Sequence, residues 1–197
     1  MKRSYFLIVG GIFMAALQCY LLWSIVESRA EILRNGEEVT LKTVPVDPRS
    51  LLRGRYVRLD YDISRVEIER FQLPNQDEQE LVPKTVYVVL KSSDGNHASV
   101  QRVYFEKPEV LDPDQIYIKA KLNSQNSLRE FRRFKNVPID YGISRFYVPE
   151  TDALAIEESY RDDKIPVDVV IAVDAAGTPQ LKRLIIDGKQ AYEEPIY

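Results

Sequence analysis

YFLIVGGIFMAALQCYLLWSIV, residues 5–26, is preceded by Lys2 and Arg3 and followed by Glu27, Arg29 and Glu31. The run carries no charge, and roughly 20 apolar residues wound as a helix cross the hydrocarbon core of a bilayer. Everything after it is polar enough to fold in water. The chain therefore divides into a cytoplasmic tail at 1–4, a transmembrane anchor at 5–26, a helical extension at 27–36 and one α+β domain at 37–197. No small-x-small cleavage site follows the run, and it is longer than the core of a removable signal, about 7–15 residues, so an uncleaved signal anchor is expected. Lys2 and Arg3 lie closer to the span than Arg29 and Arg34 do, which points to a cytoplasmic N-terminus and an extracytoplasmic domain. Gly10-Gly11 and Gln18 fit a helix face packed on another helix, and equally a lipid-facing helix that tolerates one glutamine.

The 197 residues are 45% hydrophobic and 10% aromatic, the composition of a globular chain that buries a core without staples. A formal net charge of -3 comes from intermixed signs without a long basic run, which argues against a nucleic-acid partner. Cys19, the single cysteine, falls inside the apolar run, so disulfides and cysteine metal sites are excluded for the soluble part. Gln18 before it places a bulky amide where a lipoprotein signal needs a small residue, so Cys19 is read as membrane-buried.

Along the domain, Asn35-Gly36 ends the extended helix and a strand is expected at 39–46. Asp47-Pro48 reads as a helix cap with proline in the first turn, and Gly54 closes that short helix. Val57, Leu59, Tyr61 and Ile63 then fall on one face of a half-buried strand, with Tyr56, Arg58, Asp60 and Asp62 on the other. Strands at 85–91 and 99–105 form a hairpin around Ser93-Asp94-Gly95-Asn96. Further strands are expected at 116–122, 139–148, 167–173 and 181–186, a helix at 151–160 and a turn at 175–178. Residues 123–135 read as a loop or a short helix. The fold class is α+β, an N-terminal transmembrane helix followed by a mostly antiparallel domain with short helices.

The two halves of the domain echo each other. Asp60-Tyr61-x-Ile63-Ser64-Arg65 recurs as Asp140-Tyr141-x-Ile143-Ser144-Arg145, and Val88-Val89-Leu90 aligns with Val169-Val170-Ile171. Val100-Gln101-Arg102-Val103 matches Leu181-Lys182-Arg183-Leu184 in the same order. This fits an internal repeat, about 37–110 and 111–197. The later matches also fit two unrelated hairpins of alternating pattern; the shared Asp-Tyr-x-Ile-Ser-Arg is harder to explain that way. A repeat places a ligand or partner groove near a pseudo-twofold between the Asp-Tyr pairs.

The stretch Gly54-Arg55-Tyr56-Val57-Arg58-Leu59-Asp60-Tyr61 resembles the motif of the bacterial GDYXXLXY protein family. Gly54, Tyr56, Leu59 and Tyr61 match it, and Arg55 stands where the family has an acidic residue. The later Tyr-Gly-Ile-x-Arg-Phe-Tyr-Val-Pro-Glu segment at 141–150 and the single anchor extend the resemblance over nearly the whole chain. It implies an accessory protein of the bacterial inner membrane, associated with a polytopic membrane protein, and it names no reaction. Arg55 argues against a metal or base role at that position.

Residue chemistry adds little to this. Gly54 reads as a left-handed turn residue, and Leu59 and Tyr61 as core. Tyr56 faces away from the core beside Arg58 and Asp60, so contacts are expected at Tyr56, Arg58 and Asp60 and at the repeat's Asp140 and Tyr141. Arg58 and Asp60 also fit a solvated surface pair. His97 reads as a solvated loop residue rather than a metal ligand or base. The Pro-containing turn before Gly-x-Tyr-Val-x-Leu is similar to that of membrane-anchored signal peptidases, but Ser50 stands too close to Gly54 and no lysine has a convincing partner strand. Arg129, Arg132, Arg133 and Lys135, interleaved with Phe131 and Phe134, fit a patch on anionic lipid and equally a loop edge covering a sheet. No cofactor, metal or catalytic set is expected, and no ligand class is indicated. The reading is a membrane-anchored binding or assembly module; the alternative is a cell-envelope hydrolase.

Overall fold

The computed structural model describes residues 2–44, 56–73, 80–91, 97–123, 126–147 and 166–196, with the backbone alone at 2–7, 56–58, 146 and 147. The helices expected near 47–54 and at 151–160, the turn at 93–96 and the last residues of the first strand lie outside the described residues.

The apolar run forms one helix with its polar extension, α1, Lys2–Asn35. Ile8–Asn35 is long and apolar enough to cross a membrane, an 18-residue window within it has a mean hydropathy of 1.8, and among the described residues nothing covers that window. Near the exit, Ser24 and Ser28 hydroxyls fold back onto the Leu21 and Ile25 carbonyls, each at 2.9 Å. Arg34 pairs with Glu27 at 2.9 Å, and Asn35 donates to Glu31 at 2.6 Å. Asn35 and Glu31, four residues apart, form the kind of side-chain pair that supports an exposed helix turn. Ala30 and Leu33 are buried where α1 packs on the domain, and Gly36 N–H closes the helix on the Ile32 carbonyl at 2.8 Å.

The strands are β1 Glu37–Val44, β2 Tyr56–Arg58, β3 Asp60–Tyr61, β4 Arg65–Glu67, β5 Thr85–Lys91, β6 Ser99–Tyr104, β7 Gln115–Leu122, β8 Asn136–Asp140, β9 Arg145–Tyr147, β10 Val167–Val173, β11 Pro179–Ile186 and β12 Lys189–Glu193. A short helix, α2 Leu128–Phe131, begins where the Ser127 hydroxyl accepts from Glu130 N–H, and it buries Leu128 and Phe131. One five-stranded sheet runs β12-β11-β10-β1-β3, the other β4-β8-β7-β5-β6, and β2 with β9 makes a separate ribbon. Every pairing among these strands is antiparallel, and an isolated bridge of Phe71 with Val103 is parallel. The domain is α+β, as its alternation of apolar and polar residues implies.

Four strands follow the same order in each sheet, β11-β10-β1-β3 in one and β6-β5-β7-β8 in the other. Each sheet thus combines the leading strands of one half with the hairpin of the other. Val44 lies opposite Asp60 as Lys121 lies opposite Asp140. The hairpin registers break between Val89 and Leu90 and between Val170 and Ile171, at matching places.

Inward side chains from both sheets, among them Leu41, Val88, Ile118, Val169 and Ile171, form one continuous core. Full burial of such a side chain is worth roughly 1.5–3 kcal/mol. A further tie joins the sheets at the turn before β11. Gly177, at φ 80°, passes so close to the Tyr117 ring that a side chain has no room, its carbonyl accepts from Lys119 N–H at 2.7 Å, and Tyr117 donates to the Ala175 carbonyl at 2.6 Å.

Two expected strands are broken. Residues 57–63 do not run as one strand: β2 and β3 are followed by a 3-10 turn at Asp62–Ser64 that holds Ile63, and then by β4. Leu59, Tyr61 and Ile63 still point inward. The break follows from pairing, since β3 joins β1 in one sheet and β4 joins β8 in the other, so the chain turns a corner between them. Residues 139–148 break likewise: β8 begins at Asn136 and ends at Asp140, Gly142 takes φ 74°, and β9 leaves to pair with β2.

Candidate functional site

The two Asp-Tyr-x-Ile-Ser-Arg segments meet. Tyr61 donates its hydroxyl to the Ile143 carbonyl at 2.8 Å, and Tyr141 donates to the Ile63 carbonyl at 2.8 Å. Each tyrosine therefore holds the backbone of the other segment, and both are buried, at 3% and 6% exposure. Burial, aided by the charge of Asp62, pushes the Tyr141 phenol far above its usual range.

The aspartates beside them stay near the surface. Asp60 accepts from Tyr61 N–H at 3.1 Å, and Asp140 from Gly142 N–H at 2.9 Å. A cleft of about 350 Å³ opens over the crossing, lined by both Asp-Tyr pairs together with Ser64, Arg65 and Ser144. A second cleft, of about 460 Å³, shares Asp140 and Ser144 and continues past Arg145 to Glu194 and Arg29. Arg29 belongs to α1, so this groove reaches the helix that carries the apolar run.

Of the residues expected to make contacts, Asp60 and Asp140 line the clefts. Tyr141 also lines the cleft over the crossing, but its ring is almost wholly buried and its hydroxyl is committed to the Ile63 carbonyl. Tyr56 and Arg58 lie in β2 opposite Tyr147 and Arg145, with their side chains outside the description, and Gly54 falls outside the described residues. Leu59 and Tyr61 fill the core. His97 is not simply a solvated loop residue, because its Nε2 sits 2.7 Å from Asp168 Oδ1 across two strand systems. Phe131 packs edge-on against Phe71 and Phe105, at 5.3 and 6.1 Å between centroids, while Arg129, Arg132, Arg133 and Lys135 remain exposed.

A feature without a local signal lies at the base of α1. Lys182, nearly fully buried on β11, donates to the Leu33 carbonyl at the helix end and pairs with Glu38 at 3.0 Å. Arg183 pairs with the same carboxylate. Burial raises the Glu38 pKa, but the hydrogen bonds and charges of Arg183 and Lys182 outweigh it and hold the carboxyl below its usual range.

The polar groups at the crossing are engaged by the backbone. Both phenols are tied to carbonyls, the Tyr141 proton is held more tightly than usual, and each aspartate is tied to a backbone N–H. Among the described residues, no three His, Cys, Asp or Glu side chains gather as a metal site. The clefts instead offer carboxylate, hydroxyl and guanidinium groups to a polar partner.

An apolar helix long enough to span a membrane, docked on a two-sheet domain whose Asp-Tyr segments clasp each other, defines an α+β protein with an N-terminal candidate membrane span. The chain belongs to the GDYXXLXY protein family, whose model matches residues 18–184, from within α1 to β11. No curated protein and no solved structure matches it.

Proposed function

We propose that this protein is a binding or assembly module of the bacterial inner membrane, its domain extracytoplasmic, that serves a polytopic membrane protein. The observation that carries the reading is the continuity of α1. One helix runs from the apolar run into buried contacts with the domain at Ala30 and Leu33, which suits a part that must present a surface at a set height above the bilayer. The surface is that of the clasp, with Asp60 and Asp140 at the clefts and Tyr56 and Arg58 on the adjoining ribbon. Tyr141 and Tyr61 position it from below. The two halves are read as repeats, supported by the reciprocal tyrosine bonds, the common strand order and the matching register breaks.

Pull-down of the full chain from detergent-solubilised membranes, with mass spectrometry of what co-purifies, tests the reading. A stoichiometric integral membrane partner is expected. Tyr56→Ala is expected to lower its recovery roughly tenfold, the scale of an interface anchor, with the circular dichroism of the domain unchanged. Equal recovery with Tyr56→Ala rejects the ribbon as the contact. Recovery of the protein alone rejects assembly.

A further inference from the structure

The groove of about 460 Å³ beside α1 holds charges of both signs, Arg29 and Arg145 with Asp140 and Glu194. Its depth relative to a membrane follows from the helix. Arg29 comes three residues after the apolar run ends at Val26, about 4.5 Å further along the axis at about 1.5 Å per residue. The headgroup layer on each side of the hydrocarbon is about 5–8 Å thick, so the mouth of the groove at Arg29 stands at headgroup depth. The placement is the same whichever side of the membrane the domain occupies.

Two guanidinium groups suit a phosphate, since their fixed donors match its oxygens. Two carboxylates in the same groove oppose a purely anionic headgroup and suit a cationic one. A quaternary ammonium has no N–H to give them, whereas a primary ammonium donates three hydrogen bonds. Glu194 is half-buried, and burial raises its pKa while the nearby Arg29 charge counters this. We propose that this groove binds a zwitterionic phospholipid headgroup of the phosphoethanolamine type, with the phosphate toward Arg29 and Arg145 and the primary ammonium toward Asp140 and Glu194. The proposal depends on α1 lying in a bilayer and not on any protein partner.

The test uses the full chain reconstituted in nanodiscs of equal phosphatidylethanolamine, phosphatidylcholine and phosphatidylglycerol, then extracted in mild detergent, with retained lipid measured by native mass spectrometry. Retention of the ethanolamine lipid roughly tenfold over the choline lipid is expected, the scale of one charged hydrogen bond. Glu194→Gln should remove most of that preference while lipid is still retained. Arg29→Gln should lower retention of all three lipids, and Arg29→Lys should restore part of it. Circular dichroism reports folding, and if a variant fails to fold the wild-type comparison of ethanolamine with choline lipid decides alone. Equal retention of the two, preference for the glycerol lipid, or a preference unchanged in both folded Gln variants overturns the proposal. Binding of free O-phosphoethanolamine by a chain with no preference among the lipids assigns the groove to a soluble ligand and overturns the lipid source.

Discussion

Tyr61 and Tyr141 each exchange water for a carbonyl of the opposite segment, so neither phenol is available at the surface although each sits in the most recognisable stretch of its half. Burial makes the neutral form of Tyr141 part of the fold, and the consequence is a pH dependence with a definite sign. Below its ordinary pKa of 10.0 the phenol is protonated in both folded and unfolded chains. Above that value the unfolded phenol ionises while the buried one, its pKa raised by desolvation first and Asp62 second, keeps its proton. Stability is therefore complete below about pH 10 and falls as pH rises beyond it. Tyr141→Phe leaves the Ile63 carbonyl unpaired and is expected to cost about 1–3 kcal/mol at pH 7. It should also flatten the alkaline decline. Urea midpoints of both chains at pH 7 and above pH 10 check this, and an equally steep alkaline loss in the Phe variant would show that other groups cause it. The motif itself was legible from residue order, but its division of labour was not. Alternation marks Tyr61 as inward, whereas Tyr141 follows a strand end and is turned inward by a partner in the other half of the chain.

Helix α1 ends with carbonyls that have no partner within the helix and a partial negative charge that attracts cations. Lys182 meets the Leu33 carbonyl there, and Glu38 joins it to Arg183, so one buried ammonium fastens the anchor to β11 and β1. Lys182→Met keeps the apolar stem and removes the three donors. We expect it to destabilise the protein by about 1–3 kcal/mol in chemical denaturation, and a spin label at Ser28 should become more mobile because the last turns lose their tie. Unchanged label mobility would mean that Ala30 and Leu33 packing suffices to hold the helix. None of this was legible locally, since Lys182 is assigned by a helix 149 residues away. Strands β5, β6, β7, β10 and β11 were legible because each is an apolar or alternating run of its own. The corners at Asp62–Ser64 and Gly142 were not, because they mark where the chain changes sheet. Strand β12 has a local signal in the Asp187-Gly188 pair that precedes it. Asp187 and Gly188 both take positive φ, at 52° and 71°, the geometry of a tight hairpin turn, but Lys189–Glu193 lacks the apolar alternation that would have marked it as a strand.

At the scale of the whole molecule the halves are interleaved rather than stacked, since each sheet takes its hairpin from the half that did not supply its leading strands. This explains why the core is single and why a likeness between halves gives no hint of which strands pair. The clefts follow from the same arrangement: one lies over the crossing and the other extends to α1, and both are composed of residues distant in sequence. Interleaving also distinguishes the anchor from a tether. The core face of β10 is Val167, Val169, Ile171 and Val173, and its other face, with Val170 and Ala172 buried, lies where α1 packs. A chain beginning at Gly36 retains both sheets and the clasp but loses the burial of Ala30 and Leu33 and uncovers that face. Burial of this size is worth about 2–4 kcal/mol, which for a domain of this length lowers Tm by roughly 5–15 °C. We expect the shortened chain to fold, to melt cooperatively and to melt lower than the full chain in the same detergent buffer by scanning calorimetry. Equal melting temperatures would make α1 a passive tether, whereas loss of the cooperative transition would make it part of the core, because the sheets would then depend on the helix for folding rather than for added stability.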